Sequence, residues 1–483
     1  MTELDLETLI ELISGDPAHP YTAVGSTIIR DVVIDSRALR PGALFVALPG
    51  ENADGHDYVE DAFERGAIGA LVDRKLDIDA TLIDIRSDTD IPEEIDEDVE
   101  LPVLLLVDDV LSALQDAARQ WSRGWLRDGN GRRRIIGITG SVGKTTTKEA
   151  VAAVLSQRYQ ILKSEKSYNN EIGIPLTVLK LTSEHQRAVL EMSMYTTGEI
   201  ALLCDIVPPQ TGVVTLLAPV HLESAGSMEA IIDAKSELIE ALPSAQDGGQ
   251  AILNGDDELI MAHMPGRTLA DIMTYGLSTG VDLFGADVQV YGLNGIRFVM
   301  YVDGRSYHVN YPLPGRHQVY TALAATAVGL VEGLDIEEII RGLETQPSAV
   351  RLIPKTGLNG STILDDTYNA SPQSTIAALD LLASIERTHP IAVLGDMLEL
   401  GELEEESHRA VGERAASAVK LLVTVGERAR WIAEEAHNNG LDAVMQFDDA
   451  DDAAAYLEAL ITAGDTVLVK GSRAVRMERV VEV

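Results

Sequence analysis

The run Ile135-Ile-Gly-Ile-Thr-Gly-Ser-Val-Gly-Lys-Thr-Thr-Thr-Lys148 writes an apolar strand that breaks at a glycine turn and restarts as a helix. No other stretch restricts the fold as tightly. Backbone N–H groups at such a turn, together with a helix N-terminus, can surround phosphates, with Lys144 bridging β- and γ-oxygens and the Thr145 hydroxyl on Mg2+. Gly140, Ser141, Val142, Gly143, Lys144, Thr145 and Thr146 are therefore the candidate nucleotide-binding residues. The common G-x-x-x-x-G-K-[ST] form would need its first glycine at Ile138, so the shorter T-G-x-x-G-K-T-T found here is a subtype. A plain glycine turn is the alternative. The order strand, loop, helix favours a nucleoside triphosphate site.

At 483 residues the chain is too long for one ordinary domain. It carries no apolar run of membrane-spanning length, and its N-terminus MTELDLETLIELI is acidic, which argues against a signal or transit peptide. The single Cys204 excludes a disulfide framework and fits a reducing cytoplasm; its apolar context reads as core packing. Net charge is −39, with 28 Arg against 10 Lys. Such a field repels nucleic acid and anionic membranes, so neither is an expected partner, and it requires phosphate-binding cations to be concentrated at the site. The carboxylate-dense run Asp88–Glu100 reads as a solvated insertion.

Punctuation divides the chain into three blocks, 1–107, 108–347 and 348–483. In the first, Pro41-Gly42 turns into a buried strand, and a helical stretch closes at Arg65-Gly66. Leu111, Leu114, Ala118, Trp121 and Trp125 form one stripe of a helix over 108–127. From Arg134 to about 345, alternating strands and helices imply a parallel sheet with helices on both faces. The third block reads as strand 362–366, helix 373–382, strand 391–395, helix 407–418, strand 421–425 and strand 466–470. The fold class is α/β. Glu191, ending the apolar run Arg187-Ala-Val-Leu-Glu191, sits where α/β sites assemble and is the metal-ligand candidate, with a surface glutamate as its alternative.

The order and spacing of the short motifs resemble the Mur ligase family over nearly the whole length. The first block supplies Asp35-Ser-Arg37, Pro41-Gly-Ala-Leu-Phe45 and Asp54-Gly-His56. The second supplies the Thr139–Thr146 loop, Asn169-Asn-Glu-Ile-Gly-Ile-Pro175, Glu191, His221-Leu-Glu223, Ala234-Lys235 and Gly315-Arg-His317. The third supplies Asp365-Asp-Thr-Tyr-Asn-Ala370, Leu394-Gly-Asp-Met-Leu-Glu-Leu-Gly401 and Val469-Lys-Gly-Ser472, which resemble the member that adds D-alanyl-D-alanine to UDP-N-acetylmuramoyl tripeptide.

The resemblance implies a three-domain architecture: an N-terminal domain for the UDP substrate, a central P-loop ATPase domain with a mainly parallel sheet, and a Rossmann-like C-terminal domain. It implies a cytoplasmic, monomeric ligase of peptidoglycan precursor synthesis that forms an amide through an acyl phosphate and ADP. It places Mg2+ on Thr145 and Glu191, and a second Mg2+ near His221 and Lys235. The family's matching lysine is carbamylated, which implies the same of Lys235; read alone, Lys235 is an exposed helix lysine near Asp233 and Glu237. His221 read alone is equally a core histidine. Asn169 and Asn170 are implied at the sugar-peptide carboxylate, and Ser36 and Arg37 at the uridine diphosphate. Asn254, otherwise a turn asparagine, is implied at adenine; Arg351, Asp366, Tyr368 and Lys470 are implied to meet nucleotide or intermediate on domain closure.

Two departures stand out. Gln318 and Thr321 replace asparagines common in the family, and Met192-Ser-Met-Tyr195 replaces Gly-Ala-Asn after the glutamate. Another Mur-type ligase, a UDP-N-acetylmuramoyl-tripeptide synthetase or a folylpolyglutamate synthase relative, is the neighbouring reading, against which the third-block motifs argue. A nucleotide switch is disfavoured, since no Asn/Thr-Lys-x-Asp motif follows the loop.

Overall fold

The computed structural model describes residues 3–15, 26–50, 53–87, 100–165, 168–220, 222–346, 352–385 and 389–482. Most of the acidic run Asp88–Glu100, together with His221 and Arg351, lies outside the described residues. The chain packs as two compact units, one of residues 1–137, 159–193 and 199–210, the other of 138–158, 194–198 and 211–483.

In the first unit, five parallel strands run in the order Asp31–Val33, Ala43–Val46, Gly69–Val72, Val103–Leu106, Thr81–Asp84. Three of them, Ala43–Val46, Gly69–Val72 and Val103–Leu106, are buried at every residue, as strands covered on both faces must be. The helix Val110–Asp128 starts where Asp109 accepts the Ser112 N–H at 2.7 Å. Its stripe buries Leu114, Ala118, Trp121 and Trp125, and both indole N–H groups are satisfied, by the Leu181 and Thr182 carbonyls. The parallel pair Ile161–Lys163 and Arg187–Glu191 also belongs to this unit, and Cys204 packs its Sγ 3.9 Å from Met192 Sδ.

In the second unit, Thr211–Val214, Gln250–Asn254 and Asp271–Gly276 pair in parallel. The expected alternation fails after this point. Leu283–Val290, Ile296–Val302 and Arg305–Tyr311 form an antiparallel meander instead. The reason is local: Asp303 and Gly304 both hold positive φ, the conformation of a two-residue hairpin turn, and Val302 pairs with Arg305 across it. The phosphate-loop helix Lys144–Leu155 packs closely on the helix Ile336–Glu344, where a Cβ on Gly342 would lie 2.6 Å from the Val154 Cα.

The third block builds a six-stranded sheet in the order Ile353–Thr356, Thr362–Asp366, Asp465–Lys470, His389–Gly395, Leu421–Val425, Val444–Phe447. Only the first pair is antiparallel. The alternation of each strand divides its core. Leu364, Leu468, Ala392, Leu394 and Leu422 face the helices Pro372–Ser384, Glu404–Ala418 and Ala429–Asn438. Ile363, Val467, Val469, Val393 and Val423 face the helix Ala450–Leu460 on the other side.

Candidate functional site

The phosphate loop follows the strand Arg134–Thr139, and its shape is fixed by the segment after Thr211–Val214. The Ser141 N–H donates to the Leu216 carbonyl at 2.7 Å, and the Ser141 hydroxyl donates to the Ala218 carbonyl and accepts the Ala218 N–H. The Thr215 hydroxyl donates to the Val142 carbonyl at 2.6 Å. Gly140 is required here: its φ is +139°, and a Cβ would fall 2.0 Å from the Thr215 hydroxyl oxygen. Gly143, at φ +90°, starts the helix, whose first internal bond runs from the Thr147 N–H to the Gly143 carbonyl. The N–H groups of the turn before it have no helical carbonyl to reach, which is the anion-binding arrangement.

Lys144 is half-buried rather than extended into solvent. Its ammonium donates to the Gly140 carbonyl at 2.8 Å and the Ser141 carbonyl at 3.4 Å. Lys235, in the helix Met228–Glu240, is 2% exposed. That removes the exposed-lysine reading. Burial, reinforced by the positive charge of Lys144, drives its ammonium well below the ordinary lysine value, so it holds a neutral amine more readily.

A cavity of about 320 Å³ joins the loop to the third block. Val142, Gly143 and Thr146 line it from the loop, and Asn254, Asp256, Tyr275, His317, Gln318, Tyr320 and Thr321 from the rest of the central block. Asp366, Gln373, Ser374 and Lys470 line it from the third. Asn254, 5% exposed, donates to the Thr215 carbonyl and accepts the Asp256 N–H, so the turn role and the site role coincide. Burial pushes the Asp256 carboxyl up, but hydrogen bonds from the Leu277 N–H, Ser278 and the Tyr320 hydroxyl outweigh it and hold the carboxyl below its usual range. His317 lines the cavity; desolvation lowers its imidazole, against the pull of Asp366 and Asp380.

Asp366 and Lys470 end adjacent parallel strands directly opposite each other. The buried Lys470 ammonium donates to the Asp366 carboxylate at 2.6 Å and to the Asn369 carbonyl at 2.8 Å. Tyr368, 46% exposed, does not line the cavity.

The remaining candidates stand in the first unit. Glu191, 3% exposed, ends its strand and accepts from the Asn169 amide at 2.9 Å through Oε1; its Oε2 is buried without a partner. Asn170 accepts the Gly173 N–H and starts the helix Gly173–Val178. Ser36 is buried in a short turn capped by Asp35, whereas Arg37 is exposed and doubly hydrogen-bonded to Asp35. Among the described residues no group of three His, Cys, Asp or Glu side chains converges on a metal position. Magnesium does not need one, since it is commonly held by one or two carboxylates with phosphates and water, and the unmatched Glu191 Oε2 suits it.

The sequence reading missed Thr215, Asp257, Tyr320 and Gln373. Asp257 caps the helix Glu258–His263 and also accepts the Leu217 N–H at 2.7 Å, holding the segment that clasps the loop. Thr215 was findable, because it follows the C-terminal end of a parallel strand.

Three comparisons bear on this arrangement. Residues 28–122 match the Mur ligase family catalytic domain, 138–329 the Mur ligase middle domain, and 350–473 the Mur ligase glutamate ligase domain. The UDP-N-acetylmuramoyl-tripeptide--D-alanyl-D-alanine ligase of Bacillus subtilis (strain 168) is 34% identical, with 100% of this chain and 98% of that protein covered. Among solved structures, MurF from Acinetobacter baumannii is similar at a TM-score of 0.81 and 28% identity, covering 99% of this chain and 97% of that one. The MurF ligase of Thermotoga maritima in complex with ADP is similar at 0.73 and 27%, covering 94% and 96%.

Proposed function

Because the chain belongs to the Mur ligase family, we propose that it is an ATP-dependent ligase joining D-alanyl-D-alanine to UDP-N-acetylmuramoyl tripeptide in peptidoglycan precursor synthesis. The observation that carries this reading is one cavity lined by both the phosphate loop and third-block residues, as two-step ligation needs. Similarity across the full length to UDP-N-acetylmuramoyl-tripeptide--D-alanyl-D-alanine ligases supports the substrate pair.

The chemistry follows from two anions that must meet. A substrate carboxylate oxygen bonds to the γ-phosphorus of ATP as the β,γ-bridging bond breaks, giving an acyl phosphate and ADP. The dipeptide amine then adds to the acyl carbon, and the tetrahedral intermediate collapses with loss of inorganic phosphate and the amine proton. Lys144 and the helix N-terminus place positive charge where phosphoryl oxygens gather. Magnesium, when bound, neutralises phosphate charge; Thr145 offers a hydroxyl to it, and Glu191 offers its unmatched Oε2.

Lys235 is read as carbamylated. Its neutral amine adds to CO2 with loss of a proton, and the burial that lowers its pKa supports this. The remaining assignments rest on the family resemblance: His221 beside a second metal, Asn254, Arg351 and Asp366 on the nucleotide, Ser36 and Arg37 on uridine diphosphate, Asn169 and Asn170 on the sugar-peptide carboxylate, and Tyr368 and Lys470 on the intermediate. The blocks 1–107, 108–347 and 348–483 are read as its three domains.

With ATP and UDP-N-acetylmuramoyl tripeptide, D-alanyl-D-alanine should yield the pentapeptide product, while L-lysine, meso-diaminopimelate, D-glutamate and L-alanine should not. Unpaired buried polar groups cost about 1–3 kcal/mol each, enough to reject the wrong amine. Mass spectrometry of the mixture decides it: a product with a single amino acid and none with the dipeptide overturns the assignment.

A further inference from the structure

The histidine that most needs explaining lies outside the cavity. His408, in the helix Glu404–Ala418, is fully buried. Both ring nitrogens are engaged: Nε2 accepts the Met397 N–H at 3.0 Å, and Nδ1 lies 2.6 Å from the Glu404 carbonyl, to which it can only donate. That fixes a neutral imidazole of one tautomer. Trp431 packs edge-on against the ring at 5.7 Å.

The loop is Asp396–Leu400, at the C-terminal end of the strand His389–Gly395. Three consecutive N–H groups are taken by the scaffold: Asp396 donates to the Val425 carbonyl, Met397 to His408, and Leu398 to the Ser472 hydroxyl. The next residue, Glu399, is exposed with φ +65°, and its carbonyl accepts the Glu223 N–H of the helix Leu222–Ala225 at 3.4 Å. The clamp therefore ends on a residue in a strained conformation that reaches the central block two residues beyond position 221.

Its place in the sheet suggests what it serves. Asp366, Lys470 and Gly395 end neighbouring strands in that order, and Asp366 and Lys470 line the nucleotide cavity. Neighbouring strands are about 4.8 Å apart, so the loop begins roughly 5 Å beyond the cavity wall. The strands Asp465–Lys470 and His389–Gly395 are parallel neighbours, so the loop leaves the same C-terminal edge of the sheet at which Asp366 and Lys470 line the cavity, the usual ligand side in such sheets.

We infer that His408 is a positioning residue for the acceptor amine: by clamping the Met397 N–H it holds Asp396–Leu400 in the shape that seats the dipeptide beside the nucleotide cavity. The inference rests on the proposed ligase reading for the identity of the ligand, and on the geometry above for the clamp.

Two variants test it in the full-length protein. His408→Phe keeps a ring against Trp431 but removes the acceptor; His408→Gln can return an acceptor near the Nε2 position. The expected result for His408→Phe is a KM for D-alanyl-D-alanine raised about tenfold or more, with the KM for ATP within twofold of wild type, and His408→Gln recovering most of that loss. Equal rises in both KM values, no change in either, or a glutamine variant as impaired as phenylalanine would overturn it. Hydrogen exchange of the peptide spanning 395–401 provides a readout independent of turnover. It should speed at least tenfold in His408→Phe, with the strand Leu421–Val425 unchanged, and recover in His408→Gln; unchanged exchange refutes the clamp. Wild-type enzyme that makes no product from the dipeptide refutes the ligase reading instead, and exchange still decides the clamp.

Discussion

Two loops at strand ends do opposite things with their backbone. The phosphate loop, Gly140–Gly143, is held through its carbonyls and one serine, so the N–H groups of the helix turn after it face outward without helical partners. The loop Asp396–Leu400 has three successive N–H groups consumed by Val425, His408 and Ser472. The first is a socket, built so that a ligand supplies the missing acceptors. The second is a bracket, built so that its own protein supplies them and a shape is left over. The difference teaches that the count of committed N–H groups separates an anion site from a scaffolded surface, even when both follow parallel strands.

The sharpest way to break the contrast is to remove the cation of the socket. Lys144→Ala should cut ATP-dependent phosphate release by on the order of 10³-fold, while the thermal midpoint moves by no more than about 2 °C. Near-normal turnover, or collapse of the melt, would mean the loop is structural after all. Lys235→Ala should cost about 10²-fold, and added formate should restore part of it by filling the vacated anionic position. Full activity of that variant, or no mass corresponding to bound CO2 in the wild type, removes the carbamate. The third change addresses the strand between socket and bracket. Lys470→Met leaves the Asp366 carboxylate buried without its ammonium and should lower unfolding free energy by about 3 kcal/mol in denaturant melts. Asp366→Leu with Lys470→Met should recover most of that stability; if the single change is silent, the Lys470–Asp366 pair does not hold the two strand ends together.

Legibility followed how local each feature is. The socket could be read because glycine, lysine and threonine must sit at fixed offsets, and the strands Thr362–Asp366, Leu421–Val425 and Arg187–Glu191 could be read because each is a short apolar run with abrupt ends. The strand Val444–Phe447 and the helices beside it could not. It is an edge strand with no buried residue, so the apolar signal is diluted. The meander at Leu283–Tyr311 was missed for another reason: a run of apolar segments suggested alternation, although Asp303-Gly304 carried the hairpin signal. At the site, residues carried by a motif could be read, whereas Thr215 is marked only by its place after a strand end and Asp257, acting through the Leu217 backbone, leaves no pattern in its own neighbourhood. His408 belongs to the same class, since its meaning depends on Met397 and Ser472 arriving from elsewhere in the sheet. Lys235 shows the limit most clearly: flanking acids argued for a solvated lysine, and only packing reveals that it is enclosed.

The ammonium of Lys144 donates to the Gly140 and Ser141 carbonyls of its own loop. A nucleotide therefore does not meet a bare charge. A phosphoryl oxygen taken up there replaces loop carbonyls as an acceptor, and the gain is the difference between the old and new acceptors, not the whole of the new one. Small anions with a single charge gain little from such an exchange, while a triphosphate that also satisfies the helix turn gains at every position at once. In a protein of net charge −39, such a loop favours the ligand able to replace what the loop itself provides.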